Sequence, residues 1–140
     1  MSPPVILDTG PLVAFLNRRD RHHDWAREQW ARVAPPFLTC EAVVAEACFL
    51  AHRLTSGAEG AVVSMVERGV LDLSFRLADE APRVARLMKK YDDVPMSLAD
   101  GCLVRISEQH PGSVVLTLDG DFRIYRRSGR QSVPVRMPGA

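Results

Sequence analysis

Asp8, Glu46, Asp100 and Asp119 are the acids in this 140-residue sequence that are hardest to place on a solvated surface. Asp8 directly follows the apolar run Val5-Ile6-Leu7, and Asp119 directly follows Val114-Val115-Leu116-Thr117-Leu118. Each is therefore expected where a short buried strand ends, although Asp-Thr-Gly and Asp-Gly are also good turn sequences. Glu46 falls in a helical stretch, with Ala42, Val43, Phe49 and Leu50 three and four positions away. A carboxylate on so apolar a face is expected to be buried, and unpaired burial is costly enough to force it to bind a proton. A bound cation would resolve that conflict, and so would a buried arginine. Asp100 has Met96, Ser97, Leu103 and Val104 as helical neighbours, yet Ser97-Leu98-Ala99-Asp100 also resembles a capping box with Asp in place of Glu. Asp20, Asp24, Glu28, Glu59, Glu67 and Glu108 fit ordinary solvated faces or loops.

Chemistry arises if these four positions converge. Two acids end strands and two sit near helix starts, and in a parallel sheet those positions share one edge. Four carboxylates in one pocket repel, so at least one pKa should rise unless a cation binds. Oxygen ligands with no accompanying His or Cys select Mg²⁺ or Mn²⁺ over zinc. One or two such ions can activate water and stabilise the leaving oxygen when a phosphodiester is cut.

The elements that must hold the acids alternate. Strands are expected over residues 5–7, 37–39, 70–73 and 114–118, with a last edge strand over 133–136. Helices are expected over 12–18 (opened by Pro11), 24–33, 40–54, 57–68 (closed by Gly69), 79–91 and 97–109. Short apolar strands alternating with helices give an α/β fold built of βαβ units, with sites outside the carboxyl ends of the strands. No repeat or linker divides the chain, so one domain over 1–140 is expected. Trp25 and Trp30 lie five apart on one helix and do not share a stripe, which suggests one facing the core and the other a partner.

Apolar content of 46% and charged content of 25% are ordinary for a globular domain, and a net charge of +1 says little about partners. Its distribution says more: Arg123, Arg126, Arg127, Arg130 and Arg136 occur without an acid after Asp121, a run that suits either phosphate contact or a solvated tail. Cys40, Cys48 and Cys102 lack metal-ligand spacing and suggest free thiols in a reducing compartment. No signal peptide or membrane span is read, which makes the cytoplasm the expected location.

Four segments carry a family resemblance: Val5-Ile6-Leu7-Asp8-Thr9-Gly10-Pro11-Leu12, the helix bearing Glu46 after Thr39, Tyr91-Asp92-Asp93-Val94-Pro95-Met96-Ser97-Leu98-Ala99-Asp100, and Leu116-Thr117-Leu118-Asp119-Gly120-Asp121-Phe122. In this order and spacing they resemble PIN domains, and within them the VapC-like ribonuclease toxins of toxin–antitoxin pairs, over nearly the whole chain. The resemblance implies a three-layer α/β fold with a short, mostly parallel central sheet flanked by helices. It also implies Mg²⁺ or Mn²⁺ dependence, cleavage of RNA, a homodimer, and an antitoxin that blocks the acidic pocket. It makes Asp8 and Asp100 direct metal ligands. Glu46 becomes the base for the attacking water or the partner of a water on the metal. Asp119 completes the cluster, with Asp121 as its substitute unless Asp121 caps the next helix. Thr9, Ser97 and Thr117 are hydroxyls that could orient the carboxylates, while Asp93 is expected in a loop.

Other readings compete. His22 and His23 would suit a metal-free ribonuclease, but a histidine pair in a polar stretch more often lies on the surface. A receiver-like signalling domain needs a lysine near the last strands, and Lys89 and Lys90, both before Asp100, are the only lysines. A toprim-like core accounts for Asp119-Gly120-Asp121 but expects Glu where Asp8 stands. A non-catalytic protein-binding module, its acids capturing a partner's arginine, has the same acid set.

Overall fold

The computed structural model describes residues 2–139. Along the chain run β1 (Val5–Leu7), α1 (Thr9–Leu16), α2 (His23–Arg32), β2 (Phe37–Leu38), α3 (Glu41–Leu54), α4 (Ala58–Glu67), β3 (Leu71–Asp72), α5 (Leu77–Lys90), α6 (Leu98–Gln109), β4 (Val114–Leu116), a 3₁₀ turn (Gly120–Arg123), β5 (Arg126–Arg127), β6 (Gln131–Ser132) and β7 (Val135–Arg136). The expected α/β architecture is the one the chain forms. Five parallel strands stand in the order β3-β2-β1-β4-β7, with Val5 opposite Val114 and Leu7 opposite Leu116 at the centre. All three residues of β1 are buried, as a parallel strand covered by helices on both faces requires. The core joins Ile6, Leu7 and Leu116 of the sheet to Leu12, Val43, Leu103, Phe122 and Tyr125 around it.

Two departures from the expected elements have physical causes. The first helix starts at Thr9 rather than at residue 12, because the Asp8 carboxylate accepts the Thr9 N–H at 2.8 Å and acts as its cap. The segment after Tyr125 is not a solvated tail: β5 and β6 form an antiparallel hairpin, pinned by buried Arg127. That guanidinium donates to the Ser107 carbonyl at 3.0 Å and the Pro111 carbonyl at 2.6 Å, where the last carbonyls of α6 attract a cation. Both tryptophans are half-buried and pack against the core. Trp30 stacks on Phe15 with centroids 4.2 Å apart and planes 7° from parallel.

Helices α5 and α6 carry the chain back to the site and cross closely at Gly101. A Cβ there would lie 3.2 Å from Val84 Cγ1 and 3.3 Å from Met88 Cγ. Beside the crossing, Arg105 of α6 binds Glu80 of α5 at 3.2 Å. Gly101→Leu is expected to cost about 2 kcal/mol or more by overpacking this crossing, read as a lower urea midpoint. An unchanged midpoint would mean that the helices part freely. Cys40, Cys48 and Cys102 are free thiols. Among the described residues no helix is long and apolar enough to cross a membrane.

Candidate active site

Strands β2 and β3 lie on one side of β1, and β4 and β7 on the other. The order of the chain therefore reverses between β1 and β4, and an open parallel sheet offers its binding crevice at the carboxyl ends of such a pair. A cleft of about 600 Å³ opens there, and its walls include Asp8, Glu46, Asp100, Asp119 and Asp121, with Thr9 and Ser97 beside them. All four acids singled out in the sequence thus meet at one rim, together with Asp121.

Asp8 is the most enclosed, with 7% of its surface exposed. Its backbone N–H donates to the Leu116 carbonyl at 3.0 Å, extending the β1–β4 pairing by one residue. Its Oδ1 accepts from the Thr9 N–H, and its Oδ2 accepts from the Thr117 hydroxyl at 2.7 Å. Burial drives its pKa from the ordinary 3.8 up to about 6; the bonds from Thr117 and Thr9 pull the other way, and the charges of Asp100 and Asp119 push further up. Thr117 also accepts the Asp119 N–H at 2.9 Å. One buried hydroxyl thereby fixes two of the acids, and the Thr-x-Asp spacing is what permits it.

Asp100 sits in the first turn of α6. Its N–H donates to Ser97 Oγ at 3.1 Å, half of the capping box the sequence suggests. The carboxylate also accepts a 2.6 Å hydrogen bond from the hydroxyl of fully buried Tyr125. Burial raises the Asp100 pKa, the bonds from Tyr125 and Ser97 oppose the rise, and the charge of Asp119 adds to it. Tyr125 is not among the candidates that the sequence singles out. The available signal is a tyrosine three residues after buried Phe122, since a buried phenol needs a partner for its hydroxyl.

Glu46 corrects one expectation. It is exposed, not buried, because α3 turns Val43, Ala47 and Ala51 inward and leaves Phe49 62% and Leu50 36% exposed. Of its apolar neighbours, Phe49 and Leu50 form an open surface, and Leu50 lines the cleft. No ion pair to Glu46 occurs among the described residues, so the buried-arginine alternative fails. Asp121 does not cap the turn that follows β4; Asp119 does, accepting the Asp121 N–H at 2.9 Å. Asp93 lies in an exposed turn outside the cleft, as expected of a loop residue. His23 has its Nδ1 2.8 Å from the Ala14 carbonyl, also away from the acids.

The donor set is all oxygen, with neither His nor Cys on the cleft wall. Among the described residues no three acidic, His or Cys side chains close into a metal cage. A hard cation that keeps much of its hydration does not need one, since Mg²⁺ is usually held through one or two carboxylates. The Thr9 hydroxyl lines the same cleft, is buried, and has no hydrogen-bond partner among the described residues. Such an orphaned group is stabilised by a water or ligand oxygen beside it. Two carboxylates with raised pKa values and an unsatisfied hydroxyl fit a hydrated divalent cation.

Comparison with known proteins agrees with this geometry. Residues 5–127 match the PIN domain family. A ribonuclease of Mycobacterium tuberculosis, VapC26, is 30% identical over 116 residues, covering 82% of this chain and 86% of that protein. The crystal structure of M. tuberculosis VapC20, described as a toxin that cleaves the sarcin–ricin loop, superposes with a TM-score of 0.78 at 22% identity, over 93% of this chain and 98% of that one.

Proposed function

The chain belongs to the PIN-domain family, among its VapC ribonuclease toxins, and on that premise we propose that it hydrolyses RNA with Mg²⁺ or Mn²⁺ held by Asp8 and Asp100. The observation that supports this reading is the gathering of five carboxylates, from residues 8 to 121, around one cleft. When bound, the ion would polarise the scissile phosphate and offset its charge. The protein's part is orientation and proton transfer. Thr9 and Thr117 fix both oxygens of Asp8, and Tyr125 fixes Oδ2 of Asp100. Glu46, exposed and free of an ionic partner among the described residues, takes a proton from the attacking water. The water oxygen bonds to phosphorus, the bond to one ribose oxygen breaks, and that oxygen leaves with a proton from solvent. Asp119, with Asp121 beside it, completes the acidic wall.

The family resemblance extends to a homodimer and to an antitoxin that blocks the cleft, and acids arranged for a cation also receive a guanidinium. Three free thiols suit a reducing cytoplasm. The protein is expected to cut single-stranded RNA in Mg²⁺ or Mn²⁺ and to stop in EDTA, with Asp100→Asn losing most of the activity. Cleavage that persists in EDTA, or that survives in Asp100→Asn, would sink the assignment. Absence of cleavage by any metal form would leave the arginine-binding module as the better reading.

A further inference from the structure

Five carboxylates on the cleft create a difficulty for a polyanionic substrate. RNA phosphates are repelled there, and a net charge of +1 supplies no long-range attraction to compensate. The affinity for the strand has to come from cations gathered elsewhere. One such cluster lies between α5, α6 and the hairpin. Arg83, Arg86 and Lys90 repeat along one face of α5, Arg105 faces them from α6, and Arg126 and Ser128 of the hairpin close a groove of about 410 Å³.

Not all of these charges are available. Arg105 is neutralised by Glu80 and Glu108, each at 3.2 Å, and Arg83 lies 3.7 Å from Glu80. Arg86 has no ionic partner among the described residues. The Lys90 ammonium donates to the Gly129 carbonyl at 3.2 Å and sits over the Tyr91 ring, and the Arg126 guanidinium donates to carbonyls of residues 123–125. Three cations therefore face the groove without a compensating carboxylate of their own. Its hairpin wall is fixed by buried Arg127 and by the Ser128 N–H, which donates to Glu108 at 2.6 Å.

The groove is linked to the site through two tyrosines. Arg126 directly follows Tyr125, the residue that holds Asp100, and its N–H donates to the Tyr91 hydroxyl at 2.9 Å. Tyr91 in turn follows Lys90 and opens the segment that leads into Asp100. We propose that this groove between α5, α6 and the hairpin holds the RNA backbone by its phosphates while the strand is cut in the acidic cleft. The inference rests on the ribonuclease reading. Phosphates of a strand are favoured over an acidic peptide because the acidic cleft requires a strand to be held against its own repulsion.

The test is fluorescence anisotropy of a labelled single-stranded RNA in EDTA, titrated at several KCl concentrations. R86Q/K90Q alters two exposed side chains that have no carboxylate partner among the described residues. It is expected to bind about fivefold or more weakly at 0.1 M salt, and to lower the slope of log affinity against log salt by about 1.4, or about 0.7 for each phosphate that is no longer neutralised. R18Q/R27Q, altering the surface beside Phe15 and His23, is expected to bind as wild type does. Wild-type affinity and slope in R86Q/K90Q would overturn the proposal. So would equal weakening in both double variants, or displacement of the RNA by polyglutamate at matched charge, which would assign the groove to an acidic protein. Because binding is read without metal, its outcome is separate from the cleavage assay that tests the enzymatic reading.

Discussion

Asp8→Asn is expected to abolish RNA cleavage and, in the metal-free protein, to raise the melting temperature. The two effects share one origin. At neutral pH the folded protein holds a nearly inaccessible carboxylate charged, against burial and against Asp100 and Asp119, with its pKa at about 6 instead of 3.8. For an acid whose pKa is higher in the folded state, the native chain binds more protons than the unfolded one between those values, so stability falls as pH rises through that window. The penalty is absent below pH ~4 and complete above pH ~7, and amounts to about 3 kcal/mol for this group. A neutral amide removes most of it: its oxygen accepts from the Thr9 N–H, and its NH2 donates to the Thr117 oxygen, reversing that bond. A gain of roughly 5 °C at pH 7.5 is expected for a chain of this length. The gain should shrink towards pH 4, where wild-type Asp8 is itself neutral. Activity goes the other way. Losing a direct ligand should cost on the order of a thousandfold, beyond the tenfold to hundredfold typical of losing a group that only orients a ligand. Calorimetry in EDTA at pH 4.5 and 7.5, beside a cleavage assay in Mn²⁺, reads both. A lower melting temperature at pH 7.5 would make Asp8 a structural cap and remove the main argument for a cation site.

That one residue serves as cap and as candidate ligand explains what the sequence can and cannot disclose. The strand-ending positions of Asp8 and Asp119 are legible because β1 and β4 are continuous apolar runs that only a buried parallel sheet accommodates. The start of α1 is displaced by three residues in a sequence reading because Pro11 is a strong local signal, while the cap lies in the acid already assigned to chemistry. For Asp100, local pattern leaves capping and site roles open. Only the long-range contact with Tyr125 separates them, and no periodicity encodes a bond across 25 residues. Glu46 reads as buried because apolar neighbours normally mean core. The exposed Phe49, Leu50 and Leu54 break that rule on the outer face of α3. The hairpin escapes a sequence reading for the opposite reason: two-residue strands of arginine, glutamine and serine carry no hydrophobic alternation, and a buried arginine holds them.

Tyr125→Phe is expected to weaken Mn²⁺ binding by about tenfold to a hundredfold, the range for removing a group that orients a metal ligand. The ring stays, and with it the edge-on packing against Tyr91 and Phe122, both with centroids 5.2 Å away. Only the hydroxyl is lost, and with it the 2.6 Å bond that fixes Asp100 Oδ2. A half-buried carboxylate deprived of this donor is free to rotate, and its charge is less well stabilised. Both changes disfavour capture of a cation. The fold should suffer little beyond the one hydrogen bond, about 1–2 kcal/mol for a bond to a charged acceptor. Isothermal titration of Mn²⁺ into wild type, Tyr125→Phe and Gly101→Ala separates positioning from general destabilisation, since Gly101 packs against α5 instead of touching an acid. If Tyr125→Phe binds Mn²⁺ as tightly as wild type while melting lower, the phenol is a core residue whose contact with Asp100 has no bearing on the metal. If both variants lose affinity together, the cation site depends on the rigidity of α6 and not on the hydroxyl. Loss in Tyr125→Phe alone assigns the hydroxyl the task of presenting Asp100 to the ion.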